Sequence, residues 1–135
     1  MGFEVRAVGR VESPLTDRAT APRQGDEGAP DAWVVLSPEF AAAGADITVG
    51  DDVLVLTWLD RADRNVHVVH PRGDVSRTPL GVFSTRSPDR PNPIGLHRVT
   101  VLELDGVRVR VDALEALDGT PILDVKPLLR TVDEC

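Results

Sequence analysis

The sequence predicts an all-β protein, a barrel or a sandwich, on three observations. Short β-rich runs recur along the chain, Gly, Pro and Asp turn signals separate them, and only one short stretch reads as helix. Residues 3–11 alternate imperfectly and read as the first strand. Residues 13–30, with Pro14, Pro22, Gly25, Gly28 and Pro30, read as a loop longer than a compact domain tolerates without a purpose. Residues 33–36 are an apolar strand. Ser37-Pro38-Glu39 has the order of a helix start: a capping residue, a proline in the first turn and an acid at the positive dipole end; Gly44 stops it. Residues 53–59 are an apolar run broken only by Thr57, which predicts a central strand. Residues 64–70 read as another strand, residues 70–74 as a turn and residues 81–85 as extended. Val99, Val101 and Leu104, then Asp105-Gly106, then Val107, Val109 and Val111 predict a hairpin with a type I′ turn. Its arginines, Arg108 and Arg110, are expected to face solvent. Residues 122–125 are the last strand.

The chain has 135 residues, which predicts one domain over 1–135, large enough to fold without disulfides or metal. Hydrophobic residues are 41% and charged residues 27%, ordinary for a soluble globular protein. No apolar run approaches the roughly 20 residues of a membrane span, and the charged N-terminus does not read as a signal peptide, so a cytoplasmic location is expected. Cys135 is the single cysteine, which excludes an internal disulfide and a multi-cysteine zinc site. The net charge of -7 argues against a broad basic face for nucleic acid. A local basic groove stays open, because every cation except Lys126 is an arginine, the residue suited to bidentate contacts with phosphate or carboxylate. A plain preference for arginine codons is the simpler explanation of that bias.

Two stretches stand out chemically. In Arg86-Ser87-Pro88-Asp89-Arg90-Pro91-Asn92-Pro93-Ile94-Gly95, three prolines fix φ and each restrains the residue before it. The result is a stiff segment presenting Arg86, Arg90 and Asn92, either a pre-ordered binding loop or a tight crossover with solvated arginines. A cis Asn92–Pro93 bond would suit so tight a loop. In the second stretch, Asp118-Gly119-Thr120-Pro121 is followed by Asp124 and Lys126, placing two carboxylates around a short extended segment. They suit an amine or a ribose; a simple turn with a local Asp124–Lys126 pair is the plainer alternative. His67 and His70, three apart on a strand, point to opposite faces and predict no metal site, and His70, beside a turn, is the better functional candidate. No Gly-x-Gly-x-x-Gly, Walker loop or Gly-x-Ser-x-Gly elbow is present, which disfavours Rossmann enzymes, nucleotide hydrolases and serine hydrolases.

Residues 81–96 and 117–127 resemble the two signature motifs of the TrmO/TsaA-like family, and Val8-Gly9, Ser13-Pro14 and Pro22-Arg23-Gln24 fit as well. The resemblance covers about residues 5–129. It implies a single-sheet β-barrel with one or two short helices that binds S-adenosylmethionine without a Rossmann fold. It also implies a homodimer with the cofactor near the interface, methylating the exocyclic N6 amine of threonylcarbamoyladenosine beside the tRNA anticodon. Carried over by position, the cofactor pocket takes Pro22, Arg23, Gln24, Asp60, Arg61, Arg86, Leu96, Asp118, Gly119, Thr120 and Pro121. Asp118, Asp60 and Asp124 are the candidates for taking a proton from the methylated amine. Substrate contacts are expected from Arg90, Asn92, Arg72 and His70. Two positions depart from the pattern: His97 stands where a small residue is common, and Leu128 where an aromatic is common. Two rival readings keep the domain but change its role: a methyltransferase of a small molecule, and a non-catalytic module that holds the cofactor.

Overall fold

A computed structural model describes residues 2–18, 28–70 and 73–129. Its strands are β1 (Gly9–Glu12), β2 (Ala32–Leu36), β3 (Asp52–Trp58), β4 (Val68–Val69), β5 (Leu80–Gly81), β6 (Ile94–Asp105), β7 (Arg108–Val111) and β8 (Pro121–Pro127). Six of them close into an antiparallel barrel in the order β1-β2-β7-β6-β3-β8, while β4 and β5 form a separate ribbon. The all-β expectation and the single-sheet barrel therefore hold. No helix among the described residues is long and apolar enough to cross a membrane.

Strand alternation builds the core. Val53, Val55 and Thr57 of β3 face inward with His97, Val99 and Val101 of β6, Val34 and Leu36 of β2, and Val109 and Val111 of β7. The interior is mostly valine, whose branched side chain is stiff and packs well on a pleated surface. Leu114 and Ala116, from the β7–β8 connection, complete it. The apolar run at 53–59 is thus buried on one face only: Leu54, Leu56 and Trp58 are half-buried on the outside.

Several elements differ from expectation for identifiable reasons. Of residues 3–11 only the end pairs, because Phe3 and Val5 find no neighbour and are 89% and 69% exposed. The 64–70 strand shrinks to Val68–Val69, and the extended 81–85 segment turns into a short 3-10 helix, Val82–Ser84. The helix after Ser37 is also 3-10, over Pro38–Gly44; it buries no side chain, kinks at Phe40 and has no side-chain cap, so nothing holds it in α geometry. The β6–β7 turn has Gly106 and Val107 at its centre, and only Gly106 has a positive φ, of 61°. That is the type II′ pattern rather than I′. All described peptide bonds are trans, Asn92–Pro93 included. Arg108 and Arg110 reach the surface but are tied down. Arg108 pairs with Glu12 at 2.9 Å and lies over Trp33, and Arg110 pairs with Asp31 and Glu103, both at 3.0 Å.

Candidate functional site

The antiparallel order puts the end of β1, the end of β3 and the starts of β6 and β8 at one mouth of the barrel. The loops leaving these strand ends carry most of the residues singled out by the sequence. Asp118 lies in the turn before β8. Its amide donates to the Leu15 carbonyl at 2.7 Å, and its Oδ1 accepts from the Ser13 amide at 3.0 Å. Gly119 follows with a φ of 81°, as position three of a type II turn requires, and its amide donates to the Val11 carbonyl. Thr120 is buried, its hydroxyl donating to the Leu117 carbonyl at 2.6 Å. Pro121 opens β8.

The segment after β1 crosses to the loop after β3 and to the proline-rich loop. Arg18 donates to the Arg61 carbonyl and pairs with Asp89 at 3.0 Å, while Arg61 donates back to the Thr16 carbonyl at 3.0 Å. Asp89 also accepts from the Asp63 amide at 2.9 Å. Partial burial of Asp89 opposes ionisation, but the Arg18 hydrogen bond, the Asp63 amide and the Arg18 charge outweigh it and hold the carboxyl below its ordinary 3.8. Arg64 donates to the Pro91 carbonyl at 2.8 Å and to Asn92 Oδ1 at 3.1 Å, and lies over the Trp58 ring. Arg90 donates to the carbonyls of Val82 and Thr85, and its buried Nε has no partner.

These contacts sort the charges. Arg18, Arg61, Arg64 and Arg90 hold loops in place. Of the described charged residues that the sequence singled out, Asp60 and Arg86 are exposed with no hydrogen bond or ion pair. Leu96 is 41% exposed on the outer face of β6. Asp124 sits within β8, opposite Leu56, with its carboxylate 3.1 Å from Lys126; this is the local pair that the sequence offered as the plainer alternative. Asn92 serves as acceptor for Arg64, and His70, just after β4, holds the Arg77 carbonyl at 3.0 Å. Pro22, Arg23, Gln24 and Arg72 lie outside the described residues. The described residues contain no cluster of His, Cys, Asp and Glu able to hold a metal ion. A groove of about 430 Å³ flanks the same mouth, between Glu12, Asp31, Trp33 and Arg110, with its charges already paired among themselves and their neighbours.

The sequence reading missed the loop clasp of Arg18, Asp89 and Arg64, which no local pattern announces. It also passed over the buried contacts of His97. There a signal exists: His97 is in phase with Val99 and Val101, so an inward histidine follows from the alternation of β6.

The clasp is testable by itself. Asp89→Asn is expected to lower stability by about 1 kcal/mol at pH 7, a fall of about 3–4 °C in Tm. Since the folded state holds Asp89 below its ordinary value, this stability is present above the unfolded carboxyl pKa and is lost as pH falls through the folded one. Melting curves of the two proteins should therefore converge on acidification below about pH 4. A constant gap down to that range would mean the Asp89 charge contributes nothing.

A family model, the tRNA-methyltransferase O N-terminal domain, matches residues 10–134. An Archaeoglobus fulgidus protein named "S-adenosyl-L-methionine-binding protein" is 38% identical over 129 residues, 96% of this chain and 91% of that protein. A second protein of the same organism, named "Probable S-adenosyl-L-methionine-binding protein", is 45% identical over 133 residues, 98% of this chain but 36% of its own length. The crystal structure of TrmO from Pseudomonas aeruginosa is similar over the whole chain, with a TM-score of 0.76 and 29% identity, and 60% of that chain is covered. This chain thus spans about a third of the second relative and three fifths of the solved structure.

Proposed function

The chain belongs to the tRNA-methyltransferase O N-terminal domain family, and from that premise we propose that it is an S-adenosylmethionine-dependent N-methyltransferase. The acceptor is the N6 amine of threonylcarbamoyladenosine in tRNA. The observation that carries this reading is the pair of uncommitted opposite charges, Asp60 and Arg86, at a barrel mouth whose other charged side chains are largely spent on holding loops.

The residues present suit the cofactor. It offers a carboxylate, an ammonium, a sulfonium and a ribose, so the site needs a free guanidinium, a free carboxylate and apolar surface. Arg86 suits the carboxylate, Asp60 or Asp118 the ammonium or ribose hydroxyls, and Leu96 the apolar part. When bound, the cofactor supplies an electrophilic methyl group. The chain's own residues bind, align and shield the reactants, and a carboxylate at the mouth takes the proton that the amine loses. Asp60 and Asp118 suit that role better than Asp124, whose carboxylate is engaged by Lys126. A homodimer with the cofactor near its interface completes the reading; the part-exposed Ile94 and Leu96 on the outer face of β6 support it.

For RNA, the segment from 65 to 86 is the relevant surface. In a chain of net charge -7 it carries Arg72, Arg77 and Arg86 against Asp74 alone in sequence, and Phe83, three residues before Arg86, stands 88% exposed. An exposed aromatic ring in an arginine-bearing segment suits stacking with an unpaired base. Binding of tRNA bearing threonylcarbamoyladenosine is expected to weaken steeply with added salt, and Phe83→Ala to weaken it about tenfold while leaving cofactor affinity unchanged. Methyl transfer from labelled cofactor to that tRNA tests the whole reading. Cofactor binding with no tRNA binding at low salt would transfer the proposal to a small-molecule acceptor. Cofactor binding without transfer to either would leave a binding module.

A further inference from the structure

We propose that Thr57, His97 and Glu115 form a buried brace that positions three cofactor-bearing segments of the barrel mouth relative to one another; this rests on the cofactor site proposed above. His97 is 4% exposed, and both of its ring nitrogens are engaged. Nδ1 lies 2.6 Å from Glu115 Oε1, and Nε2 lies 2.7 Å from the Thr57 hydroxyl. An ionised Glu115 only accepts, so Nδ1 carries its proton toward it. With the neutral ring, Nε2 then accepts from the Thr57 hydroxyl.

The three residues come from three different elements, each just short of a candidate site residue. Thr57 is in β3, three residues before Asp60. His97 is in β6, next to Leu96 and at the exit of the Arg86-bearing loop. Glu115 is in the β7–β8 connection, three residues before Asp118. The hydrogen bonds therefore tie together the segments that would grip opposite parts of one ligand. Gly95 makes the close approach feasible: a Cβ there would overlap Thr57 Oγ1 and stand 2.6 Å from His97 Nε2.

The set looks like the nucleophile–base–acid order of a covalent catalyst, but that role does not fit. Thr57 is 0% exposed and covered by Gly95, so no substrate carbonyl reaches its hydroxyl. Its chemistry is positional: a charge-assisted hydrogen bond to the part-buried Glu115 and a neutral one to the buried Thr57 fix the distance between elements. A valine would fill the Thr57 site, but it would leave His97 Nε2 buried without its donor, so the three side chains act as one unit.

The test compares Glu115→Ala, Glu115→Gln and Thr57→Val with the wild type. Two measurements are made: amide hydrogen exchange without ligand, and S-adenosylmethionine affinity by calorimetry. Glu115→Ala is expected to raise exchange about tenfold in residues 116–120 and also in residues 59–62, leaving the far-end strand residues 53 and 99 protected. Cofactor affinity should fall about tenfold, and Glu115→Gln, which keeps an acceptor for Nδ1–H, should restore most of both. Thr57→Val, which preserves shape, should loosen residues 59–62 and lower affinity while the protein stays folded; it decides the matter if Glu115→Ala does not fold. Faster exchange confined to 112–120, or wild-type affinity in folded variants, would overturn the brace. A wild type that binds no cofactor would overturn the cofactor reading instead, and the exchange pattern across residues 59–62 and 116–120 would then judge the brace on its own.

Discussion

S-Adenosylmethionine at about 100 times its dissociation constant is expected to raise the melting temperature by roughly 10 °C, and Arg86→Ala and Asp118→Ala are each expected to erase most of that shift. Ligand that binds only the folded state at this concentration adds about 2.7 kcal/mol, which sets the size of the effect in a domain of this length. Arg86 is exposed with no hydrogen bond or ion pair assigned to it, so its removal should leave the unliganded melting temperature within about 2 °C of the wild type. A charge-assisted contact to a carboxylate contributes about 1.5–3 kcal/mol, so its loss weakens binding by about 10- to 100-fold. Asp118 is less simple, because its Oδ1 also holds the Ser13 amide. Asp118→Asn separates the two effects: it keeps an acceptor for Ser13 but removes the charge. If the charge is what the ligand meets, Asn should behave like Ala in binding and like wild type in unliganded stability. Full thermal shifts in both Arg86→Ala and Asp118→Ala would place the ligand elsewhere on the molecule.

What the sequence disclosed depended on how local the cause was. The Asp105-Gly106 hairpin was legible because alternation and turn chemistry lie in adjacent residues, although centring the turn one residue earlier gave I′ instead of II′. The β3 strand was legible from its apolar run, but one-sided burial was not, since that depends on which strands flank it. Barrel and sandwich could not be told apart from the residues alone, because closure rests on β1 meeting β8 across more than a hundred residues. The choice came from the motif resemblance. The rim was legible as residue types in order, and the structure adds which charges are spent: Arg90, read as a substrate contact, is a clamp on the carbonyls of Val82 and Thr85. His97 was noted only as a departure from a pattern, although its phase with Val99 already placed it inside.

Gly9→Ala is expected to destabilise the protein by about 3 kcal/mol, a fall of roughly 10 °C in Tm. The reason is backbone, not side chain. Gly9 is buried in β1 and pairs with Leu36 on one side and Ile122 on the other. A Cβ on it would overlap the Val35 carbonyl oxygen and stand 3.0 Å from both Val35 C and Leu36 Cα. None of these atoms can rotate away, so the β1–β2 ladder itself must open. Gly95→Ala meets a different obstacle, the Thr57 hydroxyl and the His97 ring, whose side chains can swing aside at the expense of their own hydrogen bonds. It should therefore cost less stability than Gly9→Ala but more cofactor affinity, since it breaks the brace while leaving the ladder intact. Gly2→Ala, with nothing within 4 Å, is the neutral reference. Equal losses at positions 9 and 95 would mean that β1 yields as easily as a side chain, and barrel closure through β1 would then be too weak to hold residues 13–18 against the loops they clasp.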